Sequence, residues 1–95
     1  MNAQLREMQD RQRRRFEEDL NGRVAALFRR CPALCGFTVQ DNGPLPADLT
    51  CHPAPNEEQA EELLGEVAQM LLDLLDERPE GAELLFSRTF ARTVH

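Results

Sequence analysis

Apolar residues recur at helical spacing at both ends of the chain and alternate in the middle. Phe16, Leu20, Val24, Leu27 and Phe28 follow one another at steps of four and three, which places them on one face of an α-helix. Strong helix formers surround them. Pro32 stops the run, because a residue before proline avoids the α region. A helix over residues 3–30 follows, with Gly22 inside it as a weak point. Such a helix is roughly 40 Å long. A compact domain of this size has a radius of gyration near 12–13 Å. The first turns therefore have to fray, project or pack on another chain, and residues 1–12 are the part concerned.

Alternation replaces the helical period over 34–40 and 47–52, on either side of the breaker cluster Asp41-Asn42-Gly43-Pro44. Folding this ribbon about Gly43 pairs Val39 with Ala47, Phe37 with Leu49 and Cys35 with Cys51, all on one face. Gln40, Thr38 and Gly36 join Asp48, Thr50 and His52 on the other. A register that sorts apolar from polar residues this completely is strongly specified. If Cys35 and Cys51 do face one another, oxidation could join them.

The helical period returns over 57–77, where Ala60, Leu64, Val67, Leu71 and Leu74 step by four and three and Leu63, Met70 and Leu75 widen the stripe. Asn56 is a good N-cap and Gln59 stands where a capping box needs its partner. Glu57 and Glu58 complement the helix dipole, and Pro79 ends the helix. Phe86, Phe90 and Val94 step by four and predict a last helix over 80–93. The rival strand would put Arg88 and Arg92 on the same face as Phe90, which favours the helix. The fold class expected is α+β in the order α-β-β-α-α: a long N-terminal helix, a two-stranded antiparallel hairpin and two C-terminal helices. The chain reads as one small domain over residues 1–95.

Charge sharpens this picture. The net charge is −6, and every basic residue is Arg. Residues 1–30 hold eight Arg against five acids, while 56–77 hold eight acids and no base. An acidic whole argues against general nucleic-acid binding and against a polybasic membrane anchor. No apolar run approaches the length of a membrane span, and no secretory signal is visible. Cys31, Cys35 and Cys51 are odd in number, which fits free thiols in a reducing cytoplasm.

Candidate chemistry is sparse. Arg11, Arg13, Arg14 and Arg15 could contact phosphates. Acids four residues away, as in Glu7 with Arg11 and Asp10 with Arg14, equally make a solvated helix face, and no aromatic residue interleaves to stack on bases. Cys31, Cys35, Cys51 and His52 offer four zinc ligands on paper. Their spacing is unusual, and the ribbon puts Cys51 and His52 on opposite faces. The acids Glu57, Glu58, Glu61, Glu62, Glu66, Asp73, Asp76 and Glu77 lie on the polar side of an amphipathic helix, without a His at di-iron spacing or a calcium-loop glycine. Ser87, the single serine, lacks a nucleophile elbow, and no glycine-rich phosphate loop is present. No catalytic residue, metal or cofactor is assigned. The expectation is a non-enzymatic protein-interaction or accessory domain, acting on a protein partner or as a homodimer. Nucleic-acid contact through Arg11–Arg15 is the alternative, and a thiol or zinc site the second.

Overall fold

The structure is a computed structural model and describes residues 3–41 and 45–92, with side chains of the first helix from residue 6. The hairpin tip at 42–44, Val94 and His95 lie outside the described residues. The architecture is α+β: α1 (Ala3–Arg30), β1 (Leu34–Val39), β2 (Ala47–Cys51), α2 (Glu57–Glu77), a 3₁₀ turn (Pro79–Gly81), α3 (Ala82–Leu85) and β3 (Thr89–Ala91). The sheet is antiparallel in the order β2-β1-β3.

α2 begins as its sequence requires. The Asn56 side chain accepts from Gln59 N at 2.8 Å, and Gln59 Oε1 accepts from Asn56 N at 3.1 Å, so two otherwise orphaned amides are satisfied. Arg30 meets Glu66, Arg23 meets Glu77, and Arg78 meets Asp19. Residue numbers rise along α1 as they fall along α2, so the two helices run antiparallel. One core joins them to the sheet. Phe16, Leu20, Val24, Leu27 and Phe28 of α1 meet Val67, Met70, Leu71 and Leu74 of α2 over Leu34, Phe37, Val39, Ala47, Leu85 and Phe90. The Phe37 ring lies tilted between two others, its centroid 6.1 Å from that of Phe28 and 5.1 Å from that of Phe90. The opposite sheet face is polar, with Thr38 and Thr89 hydroxyls 2.8 Å apart and Gln40 donating to Asp48 at 3.0 Å.

The register holds from Val39↔Ala47 to Gly36↔Thr50 and then slips. Leu34, not Cys35, lies opposite Cys51. The cause is an odd spacing of core residues. Leu34 and Phe37 are both buried, yet three residues apart on a strand they would point to opposite faces. A bulge between Leu34 and Gly36 turns Leu34 inward and leaves Cys35 as the extra residue.

The C-terminal segment departs furthest from the expected helix over 80–93. Helix α3 ends at Leu85, Phe86 is extended, and Ser87 takes a positive φ of 66° that reverses the chain. Thr89, Phe90 and Ala91 then add a third strand to β1. The arginines that argued against a strand each find a partner beside the core. Arg88 donates to Glu17 at 2.8 Å and lies over the Phe90 ring. Arg92 donates through Nη2 to the carbonyls of Phe28 at 2.7 Å, Cys31 at 2.8 Å and Leu34 at 2.9 Å. A guanidinium is thus the cap of α1, satisfying end carbonyls and opposing the negative end of the helix dipole.

The first part of α1 runs clear of this core. Residues 6–15 are all exposed, and Phe16 is the first buried side chain. Where the core stripe would continue backwards, residues 9, 12 and 13 are Gln, Gln and Arg, with nothing apolar to bury. The stretch from residue 3 to residue 15 is an arm of about 20 Å. It lifts the radius of gyration to 15.0 Å, above the 12–13 Å or so of a compact chain of this length.

Asp19 ties the base of the arm to the end of α2. It accepts from Arg23 Nε and Arg78 Nε, each at 2.9 Å. Burial works against its charge, but these two hydrogen bonds prevail and hold its carboxyl below the ordinary range. A depressed folded pKa means that the contribution is complete above the unfolded value and is lost as pH falls through the folded one. Asp19→Asn should therefore lower stability by about 1 kcal/mol at neutral pH, the scale of a partly exposed pair. Melting curves of the two proteins should converge as pH falls below the ordinary aspartate range and through the depressed folded pKa. A difference that persists unchanged in acid would contradict the assignment.

Candidate functional site

The four-residue cluster Cys31, Cys35, Cys51 and His52 does not assemble. Cys31 is buried at the end of α1, Cys35 and Cys51 are half-buried, and His52 is exposed. All three cysteines are free thiols. His52 N donates to Ala33 O, which continues the shifted register past the bulge. Among the described residues no group of three or more His, Cys, Asp or Glu is arranged to hold a metal ion, so the zinc reading goes no further.

The thiols are also poorly placed as nucleophiles. Burial, and then the Glu66 carboxylate, push Cys31 up against the opposing pull of Arg30 and Arg92. Burial, and then the neighbouring Cys35, push Cys51 up. The thiolate is the reactive species, so both are less reactive at neutral pH than an ordinary thiol. Native alkylation at about pH 7.5 should leave Cys31 the slowest of the three, and slower than in the unfolded chain. Its rate should climb with pH towards and beyond the ordinary thiol pKa. Peptide mass spectrometry checks this, and early labelling of Cys31 would contradict it.

Two grooves flank the first half of α2. The larger, of about 780 Å³, lies on the α1 side between Cys31, Pro32, Ala33, Pro53 and Leu63, with Arg30 and Glu66 3.4 Å apart on its rim. Pro53 follows a cis peptide from His52. The smaller, of about 410 Å³, lies on the sheet side between β2 and α2 and is lined by Leu45, Leu49, Pro55, Ala60 and Leu64. Both linings are mostly aliphatic, a surface suited to burying apolar groups.

The charged elements stand apart from one another. Arg11, Arg13, Arg14 and Arg15 are exposed on the arm, and among the described residues none of them enters an ion pair. Within α1, Asp19 pairs with Arg23 four residues on. On α2, Glu66 and Glu77 are paired with α1, while Glu57, Glu58, Glu61 and Glu62 lie exposed on the first two turns. The smaller groove was not visible in the sequence, because it arises from where α2 lands on the sheet.

Compared with family models, curated proteins and solved structures, the chain gives no match. No helix among the described residues is long and apolar enough to cross a membrane.

Proposed function

We propose that the chain is a non-enzymatic protein-interaction domain whose arm is offered to a protein partner, a second copy of the chain included. One observation carries this reading: ten consecutive helical residues, 6–15, are exposed beyond the core. Isolated helices of this length are marginal in water. An arm with no apolar stripe of its own gains full order by packing on another molecule. The cytoplasm is the compartment this reading assigns, since three free thiols persist where the environment is reducing.

Affinity purification from the native cell tests the proposal, with the full chain and an Arg11→Glu/Arg14→Glu variant side by side. The variant alters exposed residues and should fold normally. The expected result is a stoichiometric protein recovered with the parent chain and lost with the variant. Equal recovery by both, or none by either together with a monomer in light scattering, counts against it.

A second reading rests on four guanidinium groups of the arm. Arg11, Arg13, Arg14 and Arg15 present unpaired charge that a phosphate backbone could neutralise. The test is salt-dependent binding to duplex DNA and single-stranded RNA that weakens in Arg13→Glu/Arg14→Glu. No binding at low salt ends this reading.

A further inference from the structure

The parity of the sheet ladder decides which backbone groups of β2 are free. Gln40 N donates to Pro46 O at 2.9 Å, so residues of even number on β2 face β1. Val39 N donates to Arg88 O, and Ser87 N to Val39 O, so the odd residues of β1 face β3. The N–H and C=O groups of Ala47, Leu49 and Cys51 therefore point away from the sheet. Among the described residues none of them takes part in a backbone hydrogen bond outside the ladder. Beside this edge runs the smaller groove, walled by Leu45, Leu49, Ala60 and Leu64, with Leu45 half exposed at 51%.

Charge selects the occupant. No Lys or Arg occurs between Cys31 and Glu77. Asp48 on β2 and Glu57, Glu58 and Glu61 on the first turns of α2 are exposed. A second copy pairing β2 to β2 would set acid against acid. The basic arm of another copy is helical and has no free backbone groups to add to an edge.

We propose that the β2 edge takes an extended cationic peptide as a fourth strand, its aliphatic side chains alternating into the groove and its Arg or Lys side chains meeting Asp48 on the opposite face, in the negative field that the glutamates of α2 add. The edge is about 17 Å long, room for five residues of strand. Main-chain hydrogen bonds to Ala47, Leu49 and Cys51 supply affinity, and the groove and the acids supply selectivity. The inference deepens the interaction-domain reading on a surface separate from the arm. Loss of a partner through the arm variant leaves it standing, and its own failure leaves the arm reading standing.

The test uses the full chain and a fluorescein-labelled peptide of alternating Arg and Val, followed by anisotropy and by amide shifts in NMR. The expected result is saturable binding that weakens by about tenfold between about 50 mM and about 300 mM salt. Shifts should centre on Ala47, Leu49 and Cys51. A Glu/Val peptide should not bind. N-methylation at alternate peptide nitrogens should weaken binding by about tenfold or more, since those nitrogens can no longer donate to the edge. Leu49→Pro removes an N–H that the ladder does not use, and should abolish binding. Asp48→Lys/Glu61→Lys, which touches only exposed side chains, should weaken it by about tenfold. Equal binding of the N-methylated peptide, shifts centred elsewhere, or no binding overturns the proposal. So does a doubling of mass with concentration that shifts these same amides, which would give the edge to a second copy.

Discussion

Phe37→Ala should cost about 3–5 kcal/mol, the range for removing a buried aromatic ring. Phe37 is 1% exposed, lies at the centre of the middle strand and touches rings from α1 and β3. It is therefore the side chain on which helix, hairpin and added strand converge. Domains of this size are stable by roughly 5–15 kcal/mol in total. At about 4–8 °C per kcal/mol, the melting temperature should fall by roughly 12–40 °C. Val39→Ala, at the margin of the same face, should lower it far less. A fall of only a few degrees for Phe37→Ala would mean that the three rings do not share one core.

Gly81→Ala is the second large effect, and it arises from space rather than from backbone freedom. A Cβ at Gly81 would stand 2.0 Å from Cε2 of Phe16. Phe16 is itself 1% exposed, so its ring cannot swing away into solvent. Overpacking of this kind costs about 1–3 kcal/mol and here belongs at the upper end. The contact joins the turn after α2 to the place where α1 leaves the core, so the substitution loosens the base of the arm. Phe16→Leu in the same chain makes room. The double variant should be more stable than the sum of the two single losses, by an amount that urea or thermal unfolding resolves. Strict additivity would contradict the contact.

The legible parts of the fold are those specified within a few residues. The ends of α2 follow from Asn56, Gln59 and Pro79, and its buried face from a stripe spaced at three and four. The register of the hairpin from Val39 to Gly36 follows from alternation alone. Two features escaped because their causes are distant in sequence. The bulge at Cys35 is forced by Leu34 and Phe37 both seeking the core at an odd spacing, and that spacing could have been noticed. The third strand depends on Arg92 reaching carbonyls of α1 some sixty residues away, and on Arg88 reaching Glu17. A polar residue on an apolar face counts against a strand only when no partner waits for it. Periodicity says nothing about partners. The same blindness hid the groove between β2 and α2, whereas the arm was foreshadowed by arithmetic on helix length. The four residues of the cysteine cluster stay apart: Cys31 is buried at the end of α1, Cys35 and Cys51 are half-buried on neighbouring strands, and His52 is exposed.

Amide hydrogen exchange, resolved by residue, tests the central claim most directly, on the chain alone and in the complex isolated from its own cells. Residues 6–15 alone should exchange fast, as helical turns without tertiary packing do, and should become strongly protected in the complex. Slow exchange there in the solitary chain, or protection on binding confined to other segments, would contradict the view that this arm exists to be received by another protein.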